Sequence, residues 1–180
     1  CVSLSAGATE GGTAVTFTAQ EVPSYGYATY YAVPDKGSKL QSVATPVPLT
    51  WESKYYKIRF AAGGVQSIFD KELKRGLLRT DKFLGGEIFT MRSVGNGAGE
   101  FTSVQQPTMD GFDKLSNHTP VWRMEENGPV YAVFAMRQPL PTCTIVERVT
   151  VYSTVKRIDV DIAILGWNGE RYREFRMALP

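Results

Sequence analysis

The clearest alternation of apolar and polar side chains begins shortly after residue 50. Tyr56, Ile58 and Phe60 fall on one face of an extended chain, and Lys57 and Arg59 fall on the other. Because successive side chains of a β-strand point to opposite faces, this period of two predicts a half-buried strand over residues 55–60. The apolar face of this strand is expected to line a core.

The residues that follow this strand predict a hairpin. Gly63-Gly64 can adopt the positive φ angles of a tight turn without steric cost, and residues 65–69 are predicted to form the returning strand. Asp70 then opens a charged run that closes at Gly76. Such a run is typical of a solvated turn or of one capped helical turn.

Further strands are predicted along most of the chain. The β-prone segments are 14–19, 25–33, 87–94, 130–138, 144–152, 157–165 and 171–179. The last four follow one another with short polar breaks, which is the layout of an antiparallel sheet. Since no segment shows a sustained period of 3.6, the pattern predicts an all-β fold, an antiparallel β-sandwich whose two sheets bury their apolar faces against each other.

Three segments lack a strand pattern. Residues 34–48 contain three prolines and a glycine, which predicts a linker. The chain is therefore expected to divide into an N-terminal β segment with this linker (1–48) and a β-sandwich domain (49–180). The glycine-rich run 95–99 is followed by a β-prone stretch rather than a helix, so a connecting loop is favoured over a phosphate site. Residues 105–119 show no periodicity and predict a surface loop.

Composition excludes several classes of protein. The 20 basic and 18 acidic residues nearly balance and form no run of like charge, which argues against a nucleic-acid or acidic-membrane partner. No apolar stretch approaches the roughly 20 residues that span a bilayer. Cys1 and Cys143 are too few for a disulfide framework. The compartment is not indicated by the sequence.

Several short motifs follow one another along the chain. They are Val22-Pro23-Ser24-Tyr25-Gly26-Tyr27-Ala28-Thr29-Tyr30, Tyr55-Tyr56-Lys57-Ile58, Gly63-Gly64-Val65-Gln66-Ser67-Ile68-Phe69-Asp70-Lys71-Glu72-Leu73, Leu77-Leu78, Phe83-Leu84-Gly85-Gly86-Glu87, Glu126-Asn127-Gly128-Pro129-Val130, Arg157-Ile158-Asp159-Val160-Asp161 and Trp167-Asn168-Gly169-Glu170. In this order, these motifs resemble the C-terminal β-sandwich domain of α-mannosidases of glycoside hydrolase family 38. The resemblance covers nearly all of the chain from about Val22 onward, and the order of the motifs carries more weight than any one of them.

This resemblance implies a non-catalytic domain. The family domain is a supersandwich similar to that of galactose mutarotase, and it packs against a catalytic domain of the same polypeptide that hydrolyses mannose-containing glycans. In that family the aspartate nucleophile, the acid/base and the zinc ligands lie in an upstream α/β domain. The resemblance therefore implies that this chain is excised from a larger enzyme, with zinc in the absent catalytic domain and no catalytic residue to carry over.

The residues themselves agree with a chain that lacks its own catalytic site. A transition-metal site draws on several His, Cys and carboxylate ligands, and this chain has one histidine, so no metal site and no cofactor are predicted. A glycosidase needs two carboxyl groups flanking the scissile bond. Asp159 and Asp161 share one strand face, but a solvated face paired with Lys or Arg is the favoured interpretation.

Two other functions stay open from the sequence. A stand-alone carbohydrate-binding module would need exposed aromatic side chains. The candidate sugar contacts are Trp167, Tyr172 and His118. Core or sheet-edge packing is nevertheless the default expectation for Trp122 and Trp167.

A mutarotase-like enzyme would instead pair His118 with Glu87, Glu100 or Glu125 as acid and base. A concave pocket of carboxylate and histidine would favour this enzyme, whereas a flat, apolar, solvent-facing patch would favour the mannosidase domain.

Overall fold

The computed structural model describes residues 4–9, 12–33, 50–93 and 109–180. Within these segments there are thirteen β-strands, one short 3₁₀ turn at Leu115–Asn117 and no α-helix. The strands are β1 (Leu4–Thr9), β2 (Gly12–Phe17), β3 (Thr50–Glu52), β4 (Tyr56–Ala61), β5 (Gly64–Asp70), β6 (Arg75–Gly76), β7 (Ile88–Arg92), β8 (Asp113–Lys114), β9 (Arg123–Asn127), β10 (Tyr131–Pro139), β11 (Thr144–Tyr152), β12 (Ile158–Leu165) and β13 (Arg173–Met177).

The strands form antiparallel sheets. The long sheet has the order β12-β11-β10-β9, the hairpin sheet β3-β4-β5-β6 and the short sheet β13-β7-β8, while β1 and β2 pair with each other. The hairpin sheet and the short sheet are joined through Val65 and Gly85, which exchange two backbone hydrogen bonds of 2.8 Å. These two sheets therefore adjoin at that point.

The core lies between the long sheet and the other two. Alternate residues of β10 and β11 meet alternate residues of β4 and the start of β7 in one buried cluster that includes Ile58, Phe60, Ile88, Phe134 and Ile145. The ring of Phe60 lies 4.6 Å from that of Phe134, centroid to centroid. This is the arrangement of a β-sandwich, and the predicted all-β antiparallel fold is confirmed.

The predicted hairpin is also confirmed. Tyr56, Ile58 and Phe60 face the core, as the alternation indicates. Only Gly63 takes a positive φ, of 96°, whereas Gly64 is already the first residue of β5. A register shift follows Arg59, which lets Phe60 pair with Val65.

Replacing Gly63 with alanine is expected to destabilise the fold by about 2 kcal/mol, because positive φ disfavours L-residues. The new Cβ would also lie 2.4 Å from the backbone nitrogen of Ser116, which cannot move without shifting the 3₁₀ turn. Urea unfolding measures the change. Gly76→Ala is the matched control, since no atom lies within 4 Å of its added Cβ, and equal losses in the two variants would contradict this account.

The turn after β5 differs from the predicted solvated turn at its first residue. Asp70 is buried, and its Oδ1 accepts hydrogen bonds of 2.9 Å from the backbone N–H groups of Glu72 and Leu73. Lys156 approaches Oδ2 at 2.9 Å. The N–H of Leu73 and the Lys156 ammonium hold the pKa of Asp70 below its usual value despite its burial. The carboxylate therefore fastens this turn to the loop before β12.

One predicted strand is wrong. Residues 25–33 form no strand; the chain turns at Pro23, whose carbonyl accepts from the N–H of Gly26, and Tyr25 adopts a φ of 56°. Most tyrosines of this run are highly exposed, and the Tyr30 hydroxyl donates to the carbonyl of Gln20. Aromatic residues favour strands where they can pack on a sheet, and of these tyrosines Tyr30 packs against Phe17 of β2 whereas Tyr25, Tyr27 and Tyr31 are exposed.

The pairing of the last predicted strand also differs from the expectation. Three of the four C-terminal strands, β10 to β12, lie side by side in the long sheet, but β13 leaves it and pairs with β7. The predicted linker (34–48) and the glycine-rich loop (95–99) lie outside the described residues.

Candidate functional site

A glutamate lies in the inner row of the long sheet. In β11 the side chains of Ile145, Glu147, Val149 and Val151 all face the core, and Glu147 is fully buried. Neither of its carboxyl oxygens has a hydrogen-bond partner. Burial, and secondarily the charge of Glu87, raise the pKa of Glu147 well above its usual value.

The second buried glutamate enters from the opposite layer. Glu87 is also fully buried, and its two carboxylate oxygens accept hydrogen bonds of 2.8 Å from the backbone N–H groups of Leu84 and Ser116. Its own backbone N–H and C=O contact Leu84 and Ala178. Glu87 therefore connects the start of β7 to the 3₁₀ turn and to the end of β13.

Gly86 brings these two glutamates together. Its φ is 77°, and a Cβ on it would lie 2.6 Å from Oε1 of Glu147. The Glu147 carboxyl group thus lies against the backbone immediately before Glu87. We call Glu87 and Glu147 the buried glutamate pair.

The chemistry of the buried glutamate pair is limited by its enclosure. Glu147, a carboxyl group with a raised pKa, lies close to Glu87, whose two oxygens both accept hydrogen bonds. In its electrostatics this arrangement resembles an acid/base pair. However, both side chains are 0 % exposed, so neither can touch a sugar in this structure. The sequence indicates Glu87 only as a mutarotase candidate and gives Glu147 no role, although the period of β11 places position 147 on the inner face.

His118 belongs to a separate, partly exposed cluster. Its Nε2 lies 2.8 Å from Oδ2 of Asp113, and Nδ2 of Asn117 donates to the other oxygen at 3.0 Å. Partial burial acts to raise the pKa of Asp113, but the hydrogen bonds from His118 and Asn117 hold it below its usual value. The structure thus pairs His118 with Asp113 rather than with Glu87 or Glu125; Glu100 lies outside the described residues.

The two candidate aromatic contacts lie in the loop between β12 and β13. Trp167 is 53 % exposed and Tyr172 is 61 % exposed. The loop is held in place by the N–H of Asn168, which donates to the carbonyl of Thr142, and by Glu170, which accepts from Arg173. In the described part of the chain, no hydrogen bond or ring contact joins His118 to either aromatic residue.

The other tryptophans pack in the core. Trp122 is buried, and its indole N–H donates to the carbonyl of Ala61 at 2.8 Å. Trp51 is partly buried against Phe134. Glu125, on the outer face of β9, binds Arg148 at 2.7 Å.

Exposed apolar side chains recur in the C-terminal part of the chain. The large apolar residues of 164–179 that are more than one-third exposed are Ile164, Leu165, Trp167, Tyr172, Met177 and Leu179. They lie on the end of β12, on the following loop and on β13 and its continuation. We call these six side chains the C-terminal apolar residues.

Within the described residues, no group of three His, Cys, Asp or Glu side chains could hold a metal ion. No helix in this part of the chain is long and apolar enough to cross a membrane. Comparisons of the chain with models of protein families, with curated proteins and with solved structures give no match.

Proposed function

We propose that this chain is the non-catalytic β-sandwich domain of a family 38 α-mannosidase and that it packs against a catalytic domain of the same polypeptide. The observation that carries the proposal is the exposure of the C-terminal apolar residues, of which Leu179 is 70 % and Trp167 53 % exposed. A contiguous patch of exposed apolar side chains is typical of a face that another domain covers, and the proposal takes Trp167, Tyr172, Met177 and Leu179 to be part of such a face.

The arrangement of the titratable groups supports the same proposal. A retaining glycosidase needs two carboxyl groups that reach the sugar, and the buried glutamate pair is enclosed by protein. His118 has Asp113 as its partner, and the described residues hold no metal cluster. In the proposed enzyme, catalysis and zinc therefore belong to the catalytic domain, and this chain contributes a packing face.

Two assays of the purified chain test the proposal. We expect no hydrolysis of a chromogenic α-mannoside and no heat of binding in calorimetric titrations with mannose and short α-mannosides. The complete gene, expressed in full, is expected to give zinc-dependent α-mannosidase activity. Hydrolysis by the chain alone would place catalysis in this domain, and an inactive complete protein would contradict the assignment to this family.

A carbohydrate-binding module is the second candidate, and the exposure of Trp167 and Tyr172 favours it. The faces of exposed aromatic rings can pack on the apolar face of a pyranose. Saturable binding of an α-mannoside that Trp167→Ala abolishes, without turnover, would support this function in place of the first. Trp122→Phe is not a suitable control, since that ring lies in the core, whereas Tyr27→Ala removes a still more exposed ring from another part of the chain.

A further inference from the structure

Strand β12 is a regular edge of the long sheet. It pairs with β11 over eight consecutive residue pairs, from Thr144 opposite Leu165 to Val151 opposite Ile158, without a register shift. In the described part of the chain β12 has no neighbour on its other side. Eight residues exceed the usual strand length of about 5–6, so this edge is long.

The opposite edge of the same sheet carries the features that normally block further pairing. Strand β9 has five residues, a register shift opposite Val133 and Phe134, and charged side chains at three of its positions. Natural proteins use short strands, bulges, prolines and inward-facing charges to prevent edges from pairing. β12 has no proline and no bulge, and its charged residues, Asp159 and Asp161, lie outside the apolar row.

The hydrogen-bond pattern shows which backbone groups of β12 point away from the sheet. The N–H of Tyr152 donates to the carbonyl of Arg157, so this pair is a hydrogen-bonded one. Hydrogen-bonded and non-hydrogen-bonded pairs alternate along an antiparallel ladder. Residues 159, 161, 163 and 165 therefore bond to β11, and the N–H and C=O groups of residues 158, 160, 162 and 164 face the open edge.

The inner face of β12 is less well covered than that of β11. On β11, Ile145, Val149 and Val151 are almost completely buried. On β12, Val160 and Ile162 are only partly buried against the same core, and Ile164 is 41 % exposed. A further strand beside β12 would bury these side chains by placing its own apolar residues next to them.

The outer face of β12 indicates which charge a further strand beside it should carry. Glu125 on β9 binds Arg148 on β11, and Arg148 lies directly opposite Asp161 on β12. In register, the row that contains Asp161 continues through Arg148 on β11 and Ala135 on β10 to Arg123 on β9. Asp161 therefore has a basic neighbour on one side only. A basic residue opposite Asp161 on the open edge would give it a second one, and in that non-hydrogen-bonded pair the two side chains approach most closely.

We propose that β12 is the docking edge for an extended segment of a partner protein in which apolar residues alternate with Lys or Arg. The segment adds a fifth strand to the long sheet, with its apolar side chains toward the core and a basic side chain beside Asp161, since Asp159 is already paired with Arg157 and Tyr152. Symmetric antiparallel pairing with a second copy of β12 sets aspartates opposite each other when it is centred on Val160 or on Asp161, whereas a register centred on Ile162 does not, so a second copy is an outcome of the test. This inference does not depend on the proposed enzyme family.

The probe is a capped heptapeptide in which Lys and Val alternate, and the matched control peptide has Glu in place of Lys. By NMR at physiological salt we expect the basic peptide to shift β12 resonances saturably and to bind at least tenfold more tightly than the acidic one. In the free chain the amides of residues 160, 162 and 164 should exchange quickly with solvent and those of 159, 161 and 163 slowly. The peptide should slow the first set.

Two variants distinguish the contribution of backbone pairing to peptide binding from the contribution of charge. Ile164→Pro removes an N–H that β11 does not use, so the chain should fold but lose peptide binding, whereas Ile164→Val should bind normally. Asp161→Lys should reverse the preference, so that the acidic peptide binds more tightly than the basic one.

Three results would overturn the proposal. One is slow exchange of the amides of residues 160, 162 and 164 in the free monomeric chain, which would show that the edge is already paired. Another is dimerisation that Ile164→Pro abolishes, since the occupant would then be a second copy. The third is equal binding of the basic and acidic peptides.

Discussion

At pH 7 the Glu147→Gln variant should be more stable than the natural chain, although the substitution adds no contact. Glu147 is fully buried and neither of its oxygens has a partner. Burial, with the charge of Glu87, raises its pKa in the folded state above the value near 4.5 expected of the unfolded chain. Glutamine is nearly isosteric with glutamic acid and does not titrate, so the variant removes this difference.

The sign of the pH dependence follows from proton binding. Between the unfolded and the folded pKa of Glu147, the folded chain retains a proton that the unfolded chain has released. The free energy of unfolding therefore falls as pH rises, by about 1.4 kcal/mol per pH unit. From pH 4.5 to pH 7 this amounts to at most about 3.5 kcal/mol. The advantage of Glu147→Gln should reach up to that value at pH 7 and shrink toward zero at pH 4.5.

Urea unfolding of both proteins at several pH values measures this difference. Glu125→Gln is the matched control, because its carboxylate is exposed and pairs with Arg148, and an exposed ion pair contributes about 0–1 kcal/mol. Its effect on the free energy of unfolding should stay within about 1 kcal/mol at pH 7. A Glu147→Gln variant that is less stable than the natural chain at pH 7 would mean that the carboxylate has a stabilising partner.

The strands that the sequence predicts best are those whose signal is local. The alternation of Tyr56, Ile58 and Phe60 reports directly which face is buried, and β11 has the predicted bounds. Pairing partners are not local: β13 joins β7, some 80 residues earlier in the chain, and no period along Arg173–Met177 specifies that neighbour. A regular spacing of strands therefore predicts the class of fold but not the order of the strands.

The candidate site shows the same difference between what local sequence signals predict and what depends on residues far apart in the chain. Position 147 is on the inner face by its period, so a buried carboxyl group there was predictable from Ile145 and Val149. The role of Glu87 was not, because its acceptors are satisfied by backbone N–H groups of Leu84 and Ser116, the second of which is 29 residues away. Backbone donors carry no sequence signal. The exposure of Trp167 likewise depends on where the loop lies, whereas a buried Trp122 was expected from its strand-like run.

The largest loss of stability is expected from Glu87→Ala, about 3 to 5 kcal/mol. The carboxylate accepts from two backbone N–H groups at 2.8 Å, and each charge-assisted hydrogen bond is worth roughly 1.5–3 kcal/mol. Alanine leaves both donors without an acceptor and separates the start of β7 from the 3₁₀ turn. Urea unfolding at pH 7 measures the loss, and a loss no greater than that of Glu125→Ala would contradict this role.

Glu87→Gln tests whether the negative charge of Glu87 acts on Glu147. Its amide keeps one acceptor oxygen, so the loss should be smaller than for alanine, about 2 kcal/mol. It also removes the negative charge that helps to raise the pKa of Glu147. In the Glu87→Gln background, Glu147→Gln should therefore stabilise the chain less at pH 7 than it does in the natural background. Strictly additive effects in this double-mutant cycle would show that the two carboxyl groups do not interact, and the raised pKa of Glu147 would then be due to burial alone.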